Sequence, residues 1–248
     1  YVEVRRAIPD PAPLVSIIVP TRDRMDLLRP CVEGVLNRTD YPAIELVVAD
    51  NDSVEWMTLE YFERLVKDPR VRVKHHPGPF NYSAINNAAV RTCRGSLLCF
   101  LNNDIEVIAP GWLRSMVAHA VRPDVGAVGA RLLYGDGSIQ HGGAIMGLRG
   151  NVDHAFRFRT GKNDCYFDLD KLSRSQSCVT AACMLTRRSV FEQVGGFDEV
   201  NFRIAFNDDD LCLKVRESGY KVIYDARAEL FHHESVSRGI CTDPKKET

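Results

Sequence analysis

The sequence has no apolar run long enough for a membrane-spanning helix, which needs about 20 residues. It has no basic excess either, because 32 Lys and Arg residues oppose 33 Asp and Glu residues, for a formal net charge of -1. Nucleic-acid-binding proteins usually carry such an excess, so we expect no nucleic-acid partner. The eight cysteines include no Cys-x-x-Cys pair, which argues against a zinc ribbon. The loop after the first predicted strand has neither a GxGxxG nor a GxxxxGK motif, which disfavours nicotinamide and P-loop sites.

Length and composition predict one large α/β domain. The chain has 248 residues, of which 45% are hydrophobic. Cys99 and Cys183 lie inside apolar runs, and this usage favours the reducing cytosol. We therefore expect a cytoplasmic protein, with peripheral attachment to the inner face of the cell membrane as the alternative location. Because the first residue is Tyr1 and not Met, we expect the chain to be part of a larger multi-domain protein.

Apolar strands alternate with amphipathic helices through the first half of the chain, which is typical of parallel βαβ units. After about residue 130 glycines become frequent and the alternation loosens. Residues 1–13 contain three prolines and predict an arm or linker, and residues 240–248 predict a tail. The predicted strands are 14–20, 44–49, 71–73, 97–101, 179–185 and 221–224, and the predicted helices are 24–36, 56–66, 82–93 and 208–218.

Three polar residues, Asn102, Asn103 and Asp104, directly follow the apolar run 97–101. Ligands of open α/β sheets bind just beyond the carboxyl ends of the strands. A carboxylate flanked by amides at that place can hold a divalent cation against a diphosphate. A simple turn explains the triplet equally well, because Asn and Asp favour turns after strands.

Further polar clusters follow other strands or begin a helix. Residues 20–24 and 50–53 follow the first two strands, where helix capping competes with nucleotide binding as an explanation. The carboxylates 208–210 begin a helix whose dipole favours anions, but one of them could be a general base. His232 and His233 follow the last strand and are either metal ligands or a surface pair.

Taken in order, these clusters resemble glycosyltransferase family 2. The resemblance extends from about residue 14 to about residue 239 and rests on the segments 15–24, 48–53, 101–104, 195–199 and 207–211. Each motif is weak alone, but five in the family's order are a specific signal. A further resemblance is to the bacterial subgroup that builds O-antigen and related cell-surface polysaccharides. It rests on the segments 80–83 and 232–239, together with Asn86 and Asn87.

The resemblance implies a GT-A fold, an α/β architecture with a Rossmann-like, mostly parallel sheet flanked by helices. It implies a single domain over 14–239, with a nucleotide-binding half at about 14–104 and a less regular acceptor-side half at about 105–239. By position in the family's motifs, the nucleotide-binding residues would be Pro20, Thr21, Arg24, Asp50, Ser53, Asn102 and Asn103.

A divalent cation is also implied by the resemblance. The family's DxD motif falls on 102–104, where Asn102 replaces the first Asp, so Asp104 would carry most of the ligation. The family's metal-binding histidine would be His232 or His233, and the spacing within the closing motif favours His232. An imidazole ligand suits Mn²⁺ better than Mg²⁺, so we expect Mn²⁺.

The implied reaction is an inverting transfer of a sugar from a nucleotide-sugar donor, UDP- or dTDP-linked, to a hydroxyl of a glycan or lipid-linked acceptor in bacterial surface polysaccharide synthesis. Asp208 falls on the family's base position, and Asn207 replaces the usual Glu beside it. Because Asn102 and Asn207 depart from the family pattern, a non-catalytic module that binds sugar nucleotide or glycan within a larger synthase remains open. A sugar-nucleotide pyrophosphorylase is a further alternative, but residues 20–24 lack the glycine-rich loop it would need.

Overall fold

The computed structural model describes residues 6–148, 151–160 and 166–233. The predicted tail 240–248 and residues 234–239 of the closing motif lie outside them. The strands are β1 (Val15–Thr21), β2 (Ile44–Asp50), β3 (Val71–His75), β4 (Leu97–Leu101), β5 (Ile105–Val107), β6 (Val125–Leu133), β7 (Ile139–His141), β8 (Ala144–Leu148), β9 (Asn151–His154), β10 (Arg174–Gln176), β11 (Cys183–Arg187) and β12 (Lys221–His232). The helices are α1 (Met25–Asn37), α2 (Trp56–Leu65), α3 (Tyr82–Val90), α4 (Trp112–Ala120), α5 (Arg188–Gln193) and α6 (Asn207–Glu217), with a 3-10 helix at Tyr166–Lys171.

One mixed sheet organises the described residues, with the strand order β10-β12-β6-β11-β4-β1-β2-β3. β1 runs parallel to β2 and β4, and β2 runs parallel to β3, so the carboxyl ends of these strands lie at one edge. β11 is antiparallel to both β4 and β6, while β12 is parallel to β6. The sequence prediction of a largely parallel α/β sheet flanked by helices is confirmed.

Helices cover both faces of the sheet, which explains why its central strands β1, β2 and β4 are buried at every position and mostly apolar. Alternate residues of β1 enter different cores, because successive side chains of a strand point to opposite faces. Ile17 belongs to the core that also contains Leu28 of α1 and Trp112 of α4, whereas Ile18 belongs to the core that contains Ile85 of α3 and Leu211 of α6. This two-sided burial fixes the positions of the loops at the sheet's carboxyl edge.

The largest differences from the predicted boundaries occur in three elements. The strand predicted at 179–185 begins only at Cys183, because the buried apolar residues before it form an irregular connection. The helix predicted at 82–93 ends at Val90. The strand predicted at 221–224 continues to His232, because the pairing with β6 is interrupted at residues 226–228 and resumes at Glu229.

Candidate active site

The loops after β1, β2 and β4 converge at the carboxyl edge of the sheet. The backbone N–H of Asn51 donates to Thr21 O at 2.8 Å, which joins the first two loops. The Asn103 amide donates to Thr21 Oγ1 at 3.0 Å, which joins the third. Pro20 is buried at the end of β1 beside them. The structure therefore brings together the three clusters that the sequence places after separate strands.

Asp23 and Arg24 shape the rim of this edge, and both have left-handed backbone conformations, with φ of 52° and 54°. The Asp23 carboxylate accepts hydrogen bonds from both backbone N–H groups of residues 54–55, each at 2.8 Å, and its own N–H donates to Ser53 Oγ at 2.8 Å. The Arg24 guanidinium donates to both Asp26 oxygens, at 2.9 and 2.7 Å. These contacts hold Ser53 and Arg24 in place at the edge.

Asp50 ends β2 as an almost fully buried carboxylate. One of its oxygens accepts from the Ser53 N–H at 3.0 Å, and the other lies 3.1 Å from Nδ1 of His75. The second nitrogen of that imidazole lies 3.2 Å from Asp52 Oδ1, so His75 bridges two carboxylates. Sequence reasoning missed His75, although its position at the end of β3, next to β2, is a signal that could have indicated it.

Asp104 and His232 meet although 128 positions separate them, because β5 pairs with the end of β12. The Nε2 atom of His232 lies 3.2 Å from Asp104 Oδ1, and it lies 3.4 Å from the Asn102 amide nitrogen. Both residues of the pair are buried. The contact with Oδ1 lacks hydrogen-bond geometry, and that buried oxygen has no hydrogen-bond partner within the described residues.

The hydrogen bond at Nδ1 of His232 determines whether its Nε2 atom is a donor or an acceptor. Nδ1 lies 2.5 Å from Oε1 of Gln140, an acceptor, so Nδ1 carries the proton. In the neutral ring Nε2 then presents a lone pair to the Asp104 carboxylate. When Nε2 carries a second proton, the ring instead attracts the carboxylate, and this attraction outweighs the opposing effect of burial and holds the pKa of Asp104 below its usual value.

His233, the alternative candidate, contacts a different carboxylate. Its Nε2 atom lies 3.0 Å from Glu106 Oε2. Its backbone N–H donates to Asp104 O at 3.0 Å, which helps to align the chain end with β5. Of the two histidines, it is therefore His232 whose imidazole lies against Asp104.

Asp208 lies in the first turn of α6 and is held by backbone donors. Its carboxylate accepts from the N–H of Ala181 at 3.0 Å and from the N–H of Asp209 at 3.1 Å. The next residue, Ala182, accepts from the Asn102 N–H at 3.0 Å. Asp208 is thus tied to the same connection that contacts the 102–104 triplet.

The two neighbouring carboxylates have other surroundings. Asp210 forms an ion pair with Lys214 at 2.8 Å, one turn along α6. Burial and the adjacent Asp208 carboxylate raise the pKa of Asp209 to about 6. The three carboxylates therefore differ in environment, and Asp208 is the one whose two oxygens are held by backbone N–H groups.

Asp104 and His232 are a pair and not a complete metal cage. Among the residues that the structure describes, no group of three or more His, Cys, Asp or Glu side chains is arranged to hold a metal ion.

None of the helices in the described part of the chain is long and apolar enough to cross a membrane.

Comparison with known families identifies the chain. Residues 16–195 match the family described as Glycosyl transferase family 2. The chain belongs to glycosyltransferase family 2. This confirms the resemblance found in the five sequence motifs.

Two curated relatives of this family 2 chain come from bacteria. It is 52% identical over 235 residues to the uncharacterized protein y4gI of Sinorhizobium fredii (strain NBRC 101917 / NGR234), which is 94% of this chain and 26% of that protein. It is 44% identical over 227 residues to the O-antigen biosynthesis protein RfbC of Myxococcus xanthus, which is 91% of this chain and 18% of that protein. The family 2 chain thus spans about a quarter or less of the length of these relatives.

A solved structure shows the same fold. The mannosyltransferase PcManGT from Pyrobaculum calidifontis, in complex with GDP-Man and Mn²⁺, superimposes with a TM-score of 0.66 over 89% of this chain and 56% of that one. The sequences are 18% identical, so the likeness concerns the fold. The family 2 chain has the GT-A fold.

Proposed function

We propose that this chain transfers a sugar from a nucleotide-sugar donor to a hydroxyl of a glycan or lipid-linked acceptor in bacterial surface polysaccharide synthesis. Family membership and the similarity to RfbC support the reaction class and the setting. The observation that carries the proposal is the buried Asp104–His232 pair, tied through residue 102 to the connection that holds Asp208. A lipid-linked acceptor agrees with a cytoplasmic protein at the inner face of the cell membrane.

The chemistry of this pair fits a divalent cation. A lone pair on Nε2 and an ionised carboxylate oxygen without a hydrogen bond face each other, and two such acceptors repel unless a positive charge joins them, either a proton on Nε2 or a cation. The protein would supply Asp104 and His232, while the donor's diphosphate and water would supply the remaining ligands. A carboxylate with an imidazole suits Mn²⁺ better than Mg²⁺. When bound, the cation would act as a Lewis acid that stabilises negative charge on the leaving diphosphate.

The residues at the ends of β1, β2 and β4 would bind and orient the nucleotide, UDP or dTDP. Asp50 would accept hydrogen bonds from the base, since its carboxylate is fixed by the Ser53 N–H. Thr21 and Asn103 would hold the loops around the donor, together with Pro20, Asn102 and Ser53. Arg24, fixed by Asp26, would add positive charge at the rim.

Asp208 would take the proton from the acceptor hydroxyl as that oxygen attacks the anomeric carbon. The N–H groups of Ala181 and Asp209 orient its carboxylate, so little reorganisation is needed when the acceptor arrives. Attack from the face opposite the diphosphate inverts the anomeric centre. The roles of the three carboxylates would then separate, with Asp208 as base and Asp210 as an ion-pair partner within α6.

A donor-turnover assay tests the proposal. The chain is incubated with Mn²⁺ and a panel of UDP-, dTDP- and GDP-sugars, and release of the nucleoside diphosphate is measured. We expect release from one donor class, its abolition in Asp104→Asn, and no change in Asp124→Asn, which alters an exposed carboxylate at the opposite end of the sheet. Product NMR reads the anomeric configuration. Binding of a donor without any turnover would instead indicate a non-catalytic module.

A further inference from the structure

Two adjacent polar residues, Gln140 and His141, are buried on the short strand β7. Burying an amide or an imidazole is unfavourable unless hydrogen bonds within the protein replace those lost to water. Their partners therefore explain why they are there. Successive residues of a strand point to opposite sides, so the two side chains reach different parts of the site.

Gln140 holds His232 at two points. Its Oε1 atom lies 2.5 Å from Nδ1 of the imidazole, and its Nε2 atom donates to the backbone O of His232 at 3.4 Å. The second contact fixes which way the amide faces, because only the amide nitrogen can donate to a carbonyl. Oε1 must then accept from Nδ1–H, and the lone pair of the ring is left on Nε2, which faces Asp104.

His141 contacts the connection that precedes β11. Its Nε2 atom accepts from the backbone N–H of Thr180 at 3.4 Å, and its Nδ1 atom lies 3.2 Å from Nδ1 of His154. Complete burial, with the nearby charge of His154, lowers the pKa of His141 well below its usual value, so the ring is neutral and can accept at Nε2. The residue after Thr180 is Ala181, whose N–H holds Asp208.

We propose that Gln140 and His141 are positioning residues that act on the two halves of the site from one strand. Gln140 fixes the ring orientation and tautomer of His232, and His141 fixes the connection 180–181 that orients Asp208. The inference rests on the proposed function, in which His232 is a metal ligand and Asp208 is the base. Hydrogen-bond partners of metal-binding histidines typically contribute about 10- to 100-fold in metal affinity.

The Gln140 half is tested with Gln140→Leu, Gln140→Glu and the control Ile139→Val, which changes a core residue of the same strand. Long-range ¹⁵N–¹H NMR of metal-free, ¹⁵N-histidine-labelled chain reads the tautomer of His232. We expect the Nδ1–H tautomer in the wild type, the control and Gln140→Glu, which keeps an acceptor oxygen, and its loss in Gln140→Leu. Mn²⁺ affinity in the presence of UDP should fall about 10- to 100-fold in Gln140→Leu alone.

The His141 half is tested with His141→Leu and with His141→Gln, whose side-chain oxygen can replace the acceptor at Nε2. Exchange of the Ala181 amide proton, measured by NMR, should be about tenfold faster or more in His141→Leu and near normal in His141→Gln. Turnover should fall in His141→Leu while KM for the donor and Mn²⁺ affinity stay unchanged. Gln140→Leu is thus expected to lower metal affinity, whereas His141→Leu is expected to lower kcat.

The NMR readouts need neither metal nor donor, so they separate this inference from the proposed function. An unchanged His232 tautomer in Gln140→Leu, or unchanged Ala181 exchange in His141→Leu, would overturn the corresponding half. Loss of both signals in Ile139→Val would overturn the whole inference, since the strand and not its polar residues would then matter. If the tautomer responds but the wild type does not bind Mn²⁺, the positioning of His232 stands and the proposed metal site fails.

Discussion

Replacing Glu45 with Gln should destabilise the fold and leave the chemistry intact. Glu45 is a buried carboxylate near the amino end of β2, about 17 Å along the strand from Asp50. Its oxygens accept from Ser16 Oγ at 2.5 Å, from the backbone N–H of Arg94 at 2.5 Å and from the guanidinium groups of Arg72 and Arg94 at 2.7 and 2.8 Å. The substitution keeps the shape of the side chain but removes its charge.

The lowered pKa of Glu45 gives the expected change in the free energy of unfolding. Burial raises this pKa, but the hydrogen bonds from Ser16 and Arg94 and the charge of Arg72 outweigh burial and lower it from 4.5 to about 2. One pKa unit corresponds to about 1.4 kcal/mol, so ionised Glu45 stabilises the fold by about 3 kcal/mol. Because the folded-state pKa is the lower one, this stabilisation is complete above the unfolded value near 4.5 and is lost as the pH falls towards 2.

Urea unfolding of the wild type and Glu45→Gln at pH 7, 5, 4 and 3 measures the effect. The free energy of unfolding should differ by about 3 kcal/mol at pH 7 and 5, and the difference should shrink below pH 4.5. Glu33→Gln, which removes an exposed ion pair with Arg29 on α1, should match the wild type. Turnover per folded molecule should be unchanged in both variants. A difference that stays constant from pH 7 to pH 3 would refute the reasoning.

The remaining predictions concern the site and one glycine. Asp208→Asn should lower kcat by about 10²–10⁴ with little change in donor affinity by calorimetry, while Asp210→Asn keeps most of its turnover; the reverse ranking would reassign the base. Asp50→Asn should weaken donor binding by about tenfold or more, measured by calorimetric titration, and equal affinity would remove Asp50 from the nucleotide site. Gly129→Ala should lower the free energy of unfolding by about 1–3 kcal/mol, measured in urea, because the new Cβ would clash with Val179; wild-type stability would show that the connection yields freely.

The fold was predictable where local pattern and burial agree. β1, β2 and β4 are buried on both faces and are mostly apolar, with Ser16 and Glu45 as interruptions, so their alternation with α1, α2 and α3 was evident. The pattern failed at residues 179–182, because a buried irregular connection is as apolar as a strand. It also failed at the end of β12, where Asp225 and Arg227 interrupt the apolar period at a bulge.

The site was predictable as a set of residue types but not as a set of partners. The strand-end clusters could be read locally, since Asn102–Asp104 and Asp50 each follow an apolar run. The pairing of Asp104 with His232 depends on β5 meeting β12, which no local spacing encodes. Gln140 carried no signal by itself, because a polar residue on a short strand reads as exposed until its partners are known.

The most direct test of the account is a titration of Mn²⁺ into the chain with UDP present, followed by electron paramagnetic resonance of the free ion. We predict that Asp104→Asn and His232→Asn each lower Mn²⁺ affinity by about tenfold or more. Asp124→Asn should bind like the wild type, and Mg²⁺ should compete poorly. If both site variants bind Mn²⁺ as tightly as the wild type, Asp104 and His232 do not hold the metal, and the proposed site is contradicted.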